Sequence, residues 1–237
     1  LYGALAAQQL VFNSRFNLNA FLDGVAALLR KLPDQVPAGI VADLSAKSYV
    51  LPVPIRPVSD NTGPEPLIVW NHRWEYDKAP EVFVQAMQQL AAGGTPFELA
   101  LLGSRPAKTP ASLERARDTL AAHIVADGKL DTDAYRQLLS EASIVVSTAI
   151  HEFQGLAVLE AASAGCRPLV PDALCYPEQY PSSYRYPAGD VQALCMRLRQ
   201  WLTEGLPPAV DVSAWYEQHL LPQWRDVLGF AHRDSTN

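Results

Sequence analysis

The chain has 237 residues, 49% of them hydrophobic, with 19 Lys and Arg against 25 Asp and Glu, giving a net charge of −6 and a pI of about 5.3. That apolar content excludes wholesale disorder and supports a buried core, while the acidic balance argues against gripping nucleic acid by bulk charge. Three cysteines, Cys166, Cys175 and Cys195, are too few and too unpatterned for a disulfide framework or a Cys-rich zinc site, and fit a reducing, cytoplasmic setting.

The first residue is not Met, and residues 1–10 read as the tail of a helix already under way, so further sequence is expected before them. In chain order, a helix is predicted over 2–9 and a brief strand over 10–13. A second helix, capped at Ser14, runs to about 32, with Phe16, Ala20, Phe21, Val25, Leu28 and Leu29 at spacings of three and four. A short strand follows at 47–55. Residues 51–66 hold five prolines and no helical period, which predicts an extended strand end running into a linker. From there strands at 67–70, 97–102, 123–126, 144–147 and 168–170 alternate with helices at 80–92, 112–122, 132–142, 156–164 and 190–204, and a helix at 213–228 finishes the chain. Such alternation means βαβ units, hence an α/β domain built on a doubly wound parallel sheet. The expected division is 1–54 as part of a leading domain, 55–66 as Pro-rich linker, 67–205 as the main domain, and 206–237 as a final helix and tail. No apolar run approaches the ~18 residues of a membrane span, so no membrane partner is expected.

In open parallel sheets ligands bind beyond the carboxyl ends of the strands, and three such ends carry polar residues. After the 67–70 strand comes WNHRWEYDK, with Arg73 and Lys78 five apart; two cations there can clamp a diphosphate, a guanidinium fork beside a point charge. The plainer reading pairs both with Glu75 and Asp77 as solvated loop charges. After the 144–147 strand comes STAIHEFQGLAVLE. Gly155 and Leu156 open a helix whose free amides suit an anion, flanked by Glu152 and Glu160, carboxylates able to accept hydrogen bonds from sugar hydroxyls. The plainer reading makes Glu160 an exposed helix residue and Glu152 an acid favoured by the helix dipole. After the 168–170 strand comes Tyr176-Pro177-Glu178, where Pro177 can start a short helix whose free amides face the same crevice. Gly103, on which the 97–102 strand closes, is counted with the donor-side candidates.

Asp131-Thr-Asp133 has the D-x-D form of some metal sites, but it opens a helix, where capping accounts for it. His72, His123 and His151 lack zinc spacing, and neither Gly93-Gly94 nor Gly103-Ser104 belongs to a P-loop or a G-x-G-x-x-G. ATPase and dehydrogenase chemistry therefore have no fingerprint here.

Taken together, the Arg73-x4-Lys78 pair and the Glu152-x7-Glu160 motif resemble the donor half of a retaining GT-B glycosyltransferase. WNHRWEYDK, VVSTAIHEFQGLAVLEAASAGCRPLVP, the following YPE and the early VFNSRFNLNAFL narrow this to a resemblance to the tRNA-queuosine alpha-mannosyltransferase family, over nearly the whole chain. That resemblance implies a GT-B fold, with a Rossmann-like donor domain and part of an N-terminal acceptor domain, and transfer of mannose from GDP-mannose to queuosine in a tRNA anticodon. It implies that Arg73 and Lys78 neutralise the leaving diphosphate with no cofactor or metal, that Glu152 holds mannose hydroxyls, that the Gly155 and Leu156 amides meet the phosphate, and that Glu160 binds the ribose. It also implies a nucleotide-sugar donor and a tRNA acceptor as partners. Two alternatives remain open at this point: a GT-B enzyme with another nucleotide-sugar donor and a small-molecule or lipid acceptor, and a non-catalytic nucleotide-sugar or RNA-binding module.

Overall fold

The computed structural model describes residues 1–32, 37–58, 66–104 and 111–229. The predicted α/β architecture is present. Helix α1 (Tyr2–Ala6) leads into strand β1 (Leu10–Phe12), helix α2 (Arg15–Leu29), helix α3 (Ile40–Ala46) and strand β2 (Ser48–Val50). β1 and β2 pair in parallel, Leu10 opposite Ser48. The Ser14 hydroxyl caps α2 by accepting from the Asn17 amide at 3.1 Å, satisfying one of the amides that a helix start leaves unbonded. α1 is shorter than its predicted span, 2–9. Its end is held by Lys47, whose ammonium donates to the Leu5 and Ala7 carbonyls at 2.8 and 2.7 Å, and Ala7 is already extended.

The main sheet runs through β3 (Leu67–Asn71), β4 (Glu98–Leu102), β5 (Ile124–Gly128), β6 (Ile144–Val146), β7 (Arg167–Pro171) and β8 (Arg185–Tyr186). The helices α4 (Pro80–Ala92), α5 (Ala111–Asp118), α6 (Thr132–Glu141) and α7 (Leu156–Ser163) fill crossovers, and α8 (Val191–Glu204) and α9 (Glu217–Val227) follow β8. Strand order is β5-β4-β3-β6-β7-β8, all parallel. β3 and β6 are buried at every position, as strands covered on both faces must be. Trp70 in β3 lies wholly inside, stacked on Phe83 of α4. The chain builds outward from β3 through β4 to β5, then returns to the other side of β3 with β6. The sheet therefore reverses direction between β3 and β6, and the loops that follow these two strands part there to leave a crevice.

Other elements differ from the sequence reading as well: β2 ends at Val50, short of the predicted 47–55. α3 was not predicted. β8, two residues long, was also missed; it pairs with β7 at Val170 and Pro171. The single helix expected over 213–228 is a 3-10 turn, Ser213–Trp215, followed by α9, because Tyr216 is extended and forms a parallel bridge with Ile55. Ile55 donates to the Trp215 carbonyl at 2.9 Å and accepts from Glu217 at 3.1 Å.

This bridge is one of several stitches along residues 51–58. Leu51 donates to the Phe12 carbonyl at 2.8 Å, Pro52 accepts from the Trp224 indole at 2.8 Å, and Val58 donates to the Ser163 hydroxyl at 3.0 Å. At Val53 the Gln154 side chain takes the place of a neighbouring strand, accepting from the amide at 2.8 Å and donating to the carbonyl at 2.7 Å. The rest of the expected linker, residues 59–65, and the tail, 230–237, lie outside the described residues.

Candidate functional site

Two loops border the crevice at the β3–β6 reversal. The first leaves β3 at Asn71 and reaches Lys78 in a 3-10 turn, Tyr76–Lys78. Ala79 then adopts a left-handed backbone, φ 42° and ψ 58°, and turns the chain into Pro80 at the start of α4. The second loop runs from Ser147 to Gly155. The two are sewn together by the Asp77 carbonyl, which accepts from the Ile150 and His151 amides at 2.9 and 3.2 Å. The Thr148 hydroxyl adds a further stitch, donating to the Lys78 carbonyl at 2.7 Å and accepting from the Trp70 indole at 3.2 Å.

Lys78 is buried, and each of its three ammonium hydrogens has a partner: Glu152 Oε2 at 3.0 Å, the His151 carbonyl at 2.9 Å and Asp77 Oδ2 at 3.2 Å. The solvated-pair reading therefore fails for Lys78. Arg73 behaves as that reading expects, with Nη1 on Glu75 at 3.0 Å and both side chains about half exposed. Such pairs are worth ~0–1 kcal/mol, so little holds Arg73 away from an incoming anion. The backbone beneath Arg73 is well fixed. A Cβ on Gly103 (φ +101°) would lie 2.2 Å from the His72 carbonyl oxygen, so only glycine lets the β4 end approach this loop.

Glu152 folds back onto its own loop and accepts from the Phe153 amide at 3.0 Å, in addition to Lys78. Burial alone would push its carboxyl up, but the Lys78 charge, the Lys78 hydrogen bond and the Gly155 and Phe153 amides outweigh this and hold it below the usual carboxylate range. His72 is driven the other way: burial and the Lys78 charge lower it to about 4, against opposing pulls from Glu152 and Asp77. It is a neutral imidazole at physiological pH.

Gly155 caps α7 in a left-handed conformation (φ 70°) with no side chain on the helix start. A Cβ there would sit 3.0 Å from the Tyr176 ring. Tyr176 is anchored by its hydroxyl to Ser147 at 2.7 Å. Leu156 opens the helix, exposed, beside amides able to face an anion. One turn on, Glu160 is half-buried rather than exposed, and accepts from the Tyr135 hydroxyl at 3.2 Å. Burial raises its carboxyl, with the Tyr135 hydrogen bond and the Arg136 charge pulling it down.

The YPE segment is a single 3-10 turn with Pro177 and Glu178 exposed. The Glu178 carboxylate accepts from the Arg15 and Phe16 amides at 2.8 and 2.5 Å, completing the cap on α2 from 163 residues away. Glu178→Ala is expected to cost ~1 kcal/mol, the usual worth of a cap, and to speed hydrogen exchange at the Arg15 and Phe16 amides. Unchanged exchange at both would remove this role. Asp131 caps α6 through the Ala134 amide at 2.9 Å. Among the described residues, no group of three or more His, Cys, Asp or Glu could hold a metal ion.

Sequence reasoning missed three participants. Tyr135 fell inside the helix predicted over 132–142 with nothing to mark a partner. Asn71 looked like an ordinary strand end. Gln154 carried no signal at all, since its partner Val53 is 101 residues away.

A doubly wound sheet whose reversal point carries a buried Lys–Glu pair beside an open helix start has clear relatives. Residues 65–204 match the family described as Glycosyl transferases group 1, and the chain belongs to that family. Residues 1–55 match the tRNA-queuosine alpha-mannosyltransferase N-terminal family. A curated relative, the tRNA-queuosine alpha-mannosyltransferase of Drosophila melanogaster, is 37% identical over 201 residues, which is 78% of this chain and 53% of that protein. Within group 1, these matches make the chain similar to tRNA-queuosine alpha-mannosyltransferases. It spans about half the length of that curated relative.

Solved structures agree on the GT-B fold. The pneumococcal O-GlcNAc transferase GtfA superposes with a TM-score of 0.69 at 16% identity, over 98% of this chain and 47% of its own. HepE of Anabaena, solved with UDP and glucose, gives 0.71 at 12% identity over 95% and 64%. TarM of S. aureus gives 0.71 at 12% over 95% and 44%. Among the described residues no helix is long and apolar enough to cross a membrane.

Proposed function

We propose that this chain carries the donor side of a retaining glycosyltransferase that moves mannose from GDP-mannose to queuosine in a tRNA anticodon. The observation that supports this most is the joining of Lys78 to Glu152 at the β3–β6 reversal, beside the uncapped start of α7, in a chain of this family. In the proposed reaction the bond between the mannose C1 and the phosphate oxygen breaks, and its electron pair stays on the departing GDP. Negative charge grows on that phosphate. Lys78, Arg73 once released from Glu75, and the amides at the α7 start stabilise it, so the charge is met without a metal ion. The acceptor hydroxyl attacks C1 from the face the phosphate is leaving, which retains the anomeric configuration, and its proton passes to a phosphate oxygen. Glu152, kept ionised by Lys78, accepts from mannose hydroxyls, and Glu160 accepts from the ribose. Three buried cysteines, too few for a disulfide framework, fit the reducing cytoplasm as the site of action.

Calorimetric titration of the chain with GDP-mannose, GDP, UDP and UDP-glucose tests the donor, with Arg73→Ala as control. Guanine-selective binding, weakened at least about tenfold in the variant, is expected; one lost charge-assisted contact is worth about that. Selectivity for UDP would replace GDP-mannose by another donor. Transfer by the whole protein to tRNA lacking queuosine would dismiss the acceptor, and loss of transfer on adding EDTA would dismiss the metal-free chemistry.

A further inference from the structure

We propose that Tyr135 is the positioning residue for the Glu160 carboxylate, and that Asn71 sets Tyr135 in its donating orientation. The inference rests on the reading of Glu160 as the donor's ribose contact and adds to it what aims that contact. Three elements meet here. Asn71 ends β3 at the sheet reversal, Tyr135 lies in the first turn of α6, and Glu160 lies in the second turn of α7.

The direction of each hydrogen follows from the partners. The Asn71 amide gives one hydrogen to the Ala157 carbonyl at 2.8 Å and the other to the Tyr135 hydroxyl oxygen at 3.0 Å. With both donor bonds made and its Oδ1 buried without a partner, the amide has its orientation fixed by what it donates to. An oxygen that accepts from Asn71 sends its own hydrogen elsewhere, and the acceptor in reach is Glu160 Oε2 at 3.2 Å. The chain Asn71→Tyr135→Glu160 is thus polarised in one sense, each link strengthening the next.

Two effects on Glu160 follow. One oxygen is pinned by Tyr135, which fixes the plane of the carboxylate and leaves Oε1 and the remaining lone pair of Oε2 to accept from two neighbouring hydroxyls. The upward push of burial on its carboxyl is also restrained. Burial favours the neutral acid, and what opposes it is the Tyr135 hydroxyl together with the Arg136 guanidinium, itself bonded to the Pro57 carbonyl at 2.7 Å. Asn71, the group facing from β3, is uncharged. Without the phenol the carboxyl moves up, and as pH falls a larger share of the protein holds a protonated Glu160 that cannot accept from both hydroxyls.

The test is Tyr135→Phe, which removes one oxygen and keeps the ring. The Glu160 carboxyl is followed by carbon-13 NMR against pH, its resonance assigned by its loss in Glu160→Gln. A rise of about half to one pH unit is expected in the variant, the equivalent of one hydrogen bond. In parallel, GDP and 2′,3′-dideoxy-GDP are titrated into both proteins. Wild type is expected to prefer GDP about tenfold. Tyr135→Phe is expected to narrow that preference to about two- to threefold, and more at pH 5.5 than at pH 8. An unmoved carboxyl titration, or an unchanged ratio in the variant, overturns the positioning role while leaving the donor site in place. Equal binding of the two nucleotides by wild type overturns the ribose reading of Glu160, and this proposal with it.

Discussion

Replacing Lys78 with alanine is expected to lower mannosyl transfer by the whole protein about a hundred- to a thousandfold, the usual consequence of removing one preorganised charge from a developing oxyanion. Single-turnover rates at saturating donor measure it. A loss confined to KM would instead make Lys78 a ground-state contact. The same substitution has a signature independent of activity. In the native protein the Glu152 carboxyl is held low, so the stability that its ionised form contributes is complete above the ordinary carboxylate range and is lost only as pH falls through that lower value. Without Lys78, burial dominates and the sign reverses. Glu152 and Asp77 are left facing each other's charge, Glu152 titrates above its unfolded value, and the variant gains stability relative to wild type as pH drops from 8 to 5. Urea unfolding at both pH values reads this directly. Parallel pH dependence in the two proteins would mean that the Lys78–Glu152 contact contributes little in solution.

Gly103→Ala is expected to be the most damaging single methyl group in the donor loops, costing ~3 kcal/mol or more. Its Cβ would stand 2.2 Å from the His72 carbonyl oxygen and 2.7 Å from the carbonyl carbon, both backbone atoms that no rotamer change can move aside. Gly128 gives a matched control. It shares the φ of +101° but has nothing within 4 Å of a built Cβ, so Gly128→Ala bears the backbone strain alone, ~1–2 kcal/mol. The difference between the two unfolding free energies isolates the clash. Because Trp74 donates to the Ser104 carbonyl at 3.1 Å in the same crossing, Gly103→Ala should also displace Arg73 and weaken nucleotide binding, which Gly128→Ala should leave alone. Equal losses from both substitutions would show that the loop gives way cheaply.

Local signals carried much of this fold into the sequence. Buried runs such as LIVW and IVV have no other comfortable conformation than an interior strand, and Ser14, Asp131 and Asp190 each accept from the amide three residues on, as helix caps do. What escaped was set by distant partners. The break at Tyr216 is dictated by Ile55, and the two residues of β8 gain order only from β7. The site divides in the same way. Glu152, Gly155 and Glu160 stand at a spacing that a loop and one helix turn fix locally. The burial of Lys78 could not be seen, because the carboxylate and carbonyl that enclose it come from a loop more than 70 residues later. The plain pairing of Arg73 with Glu75 was legible for the opposite reason, being two residues apart. The partners of Glu178 were hidden in the same way, since the amides that engage it belong to α2.

The paired hydrogen bonds between Gln154 and Val53 have a mechanical consequence. Gln154 is two peptide units from Glu152, and Val53 is two residues from Leu51, which is bonded to Phe12 of β1. A displacement of the small leading sheet would therefore be delivered, through backbone and two short bonds, to the loop that carries Glu152. Gln154 is thus the pin that joins the two.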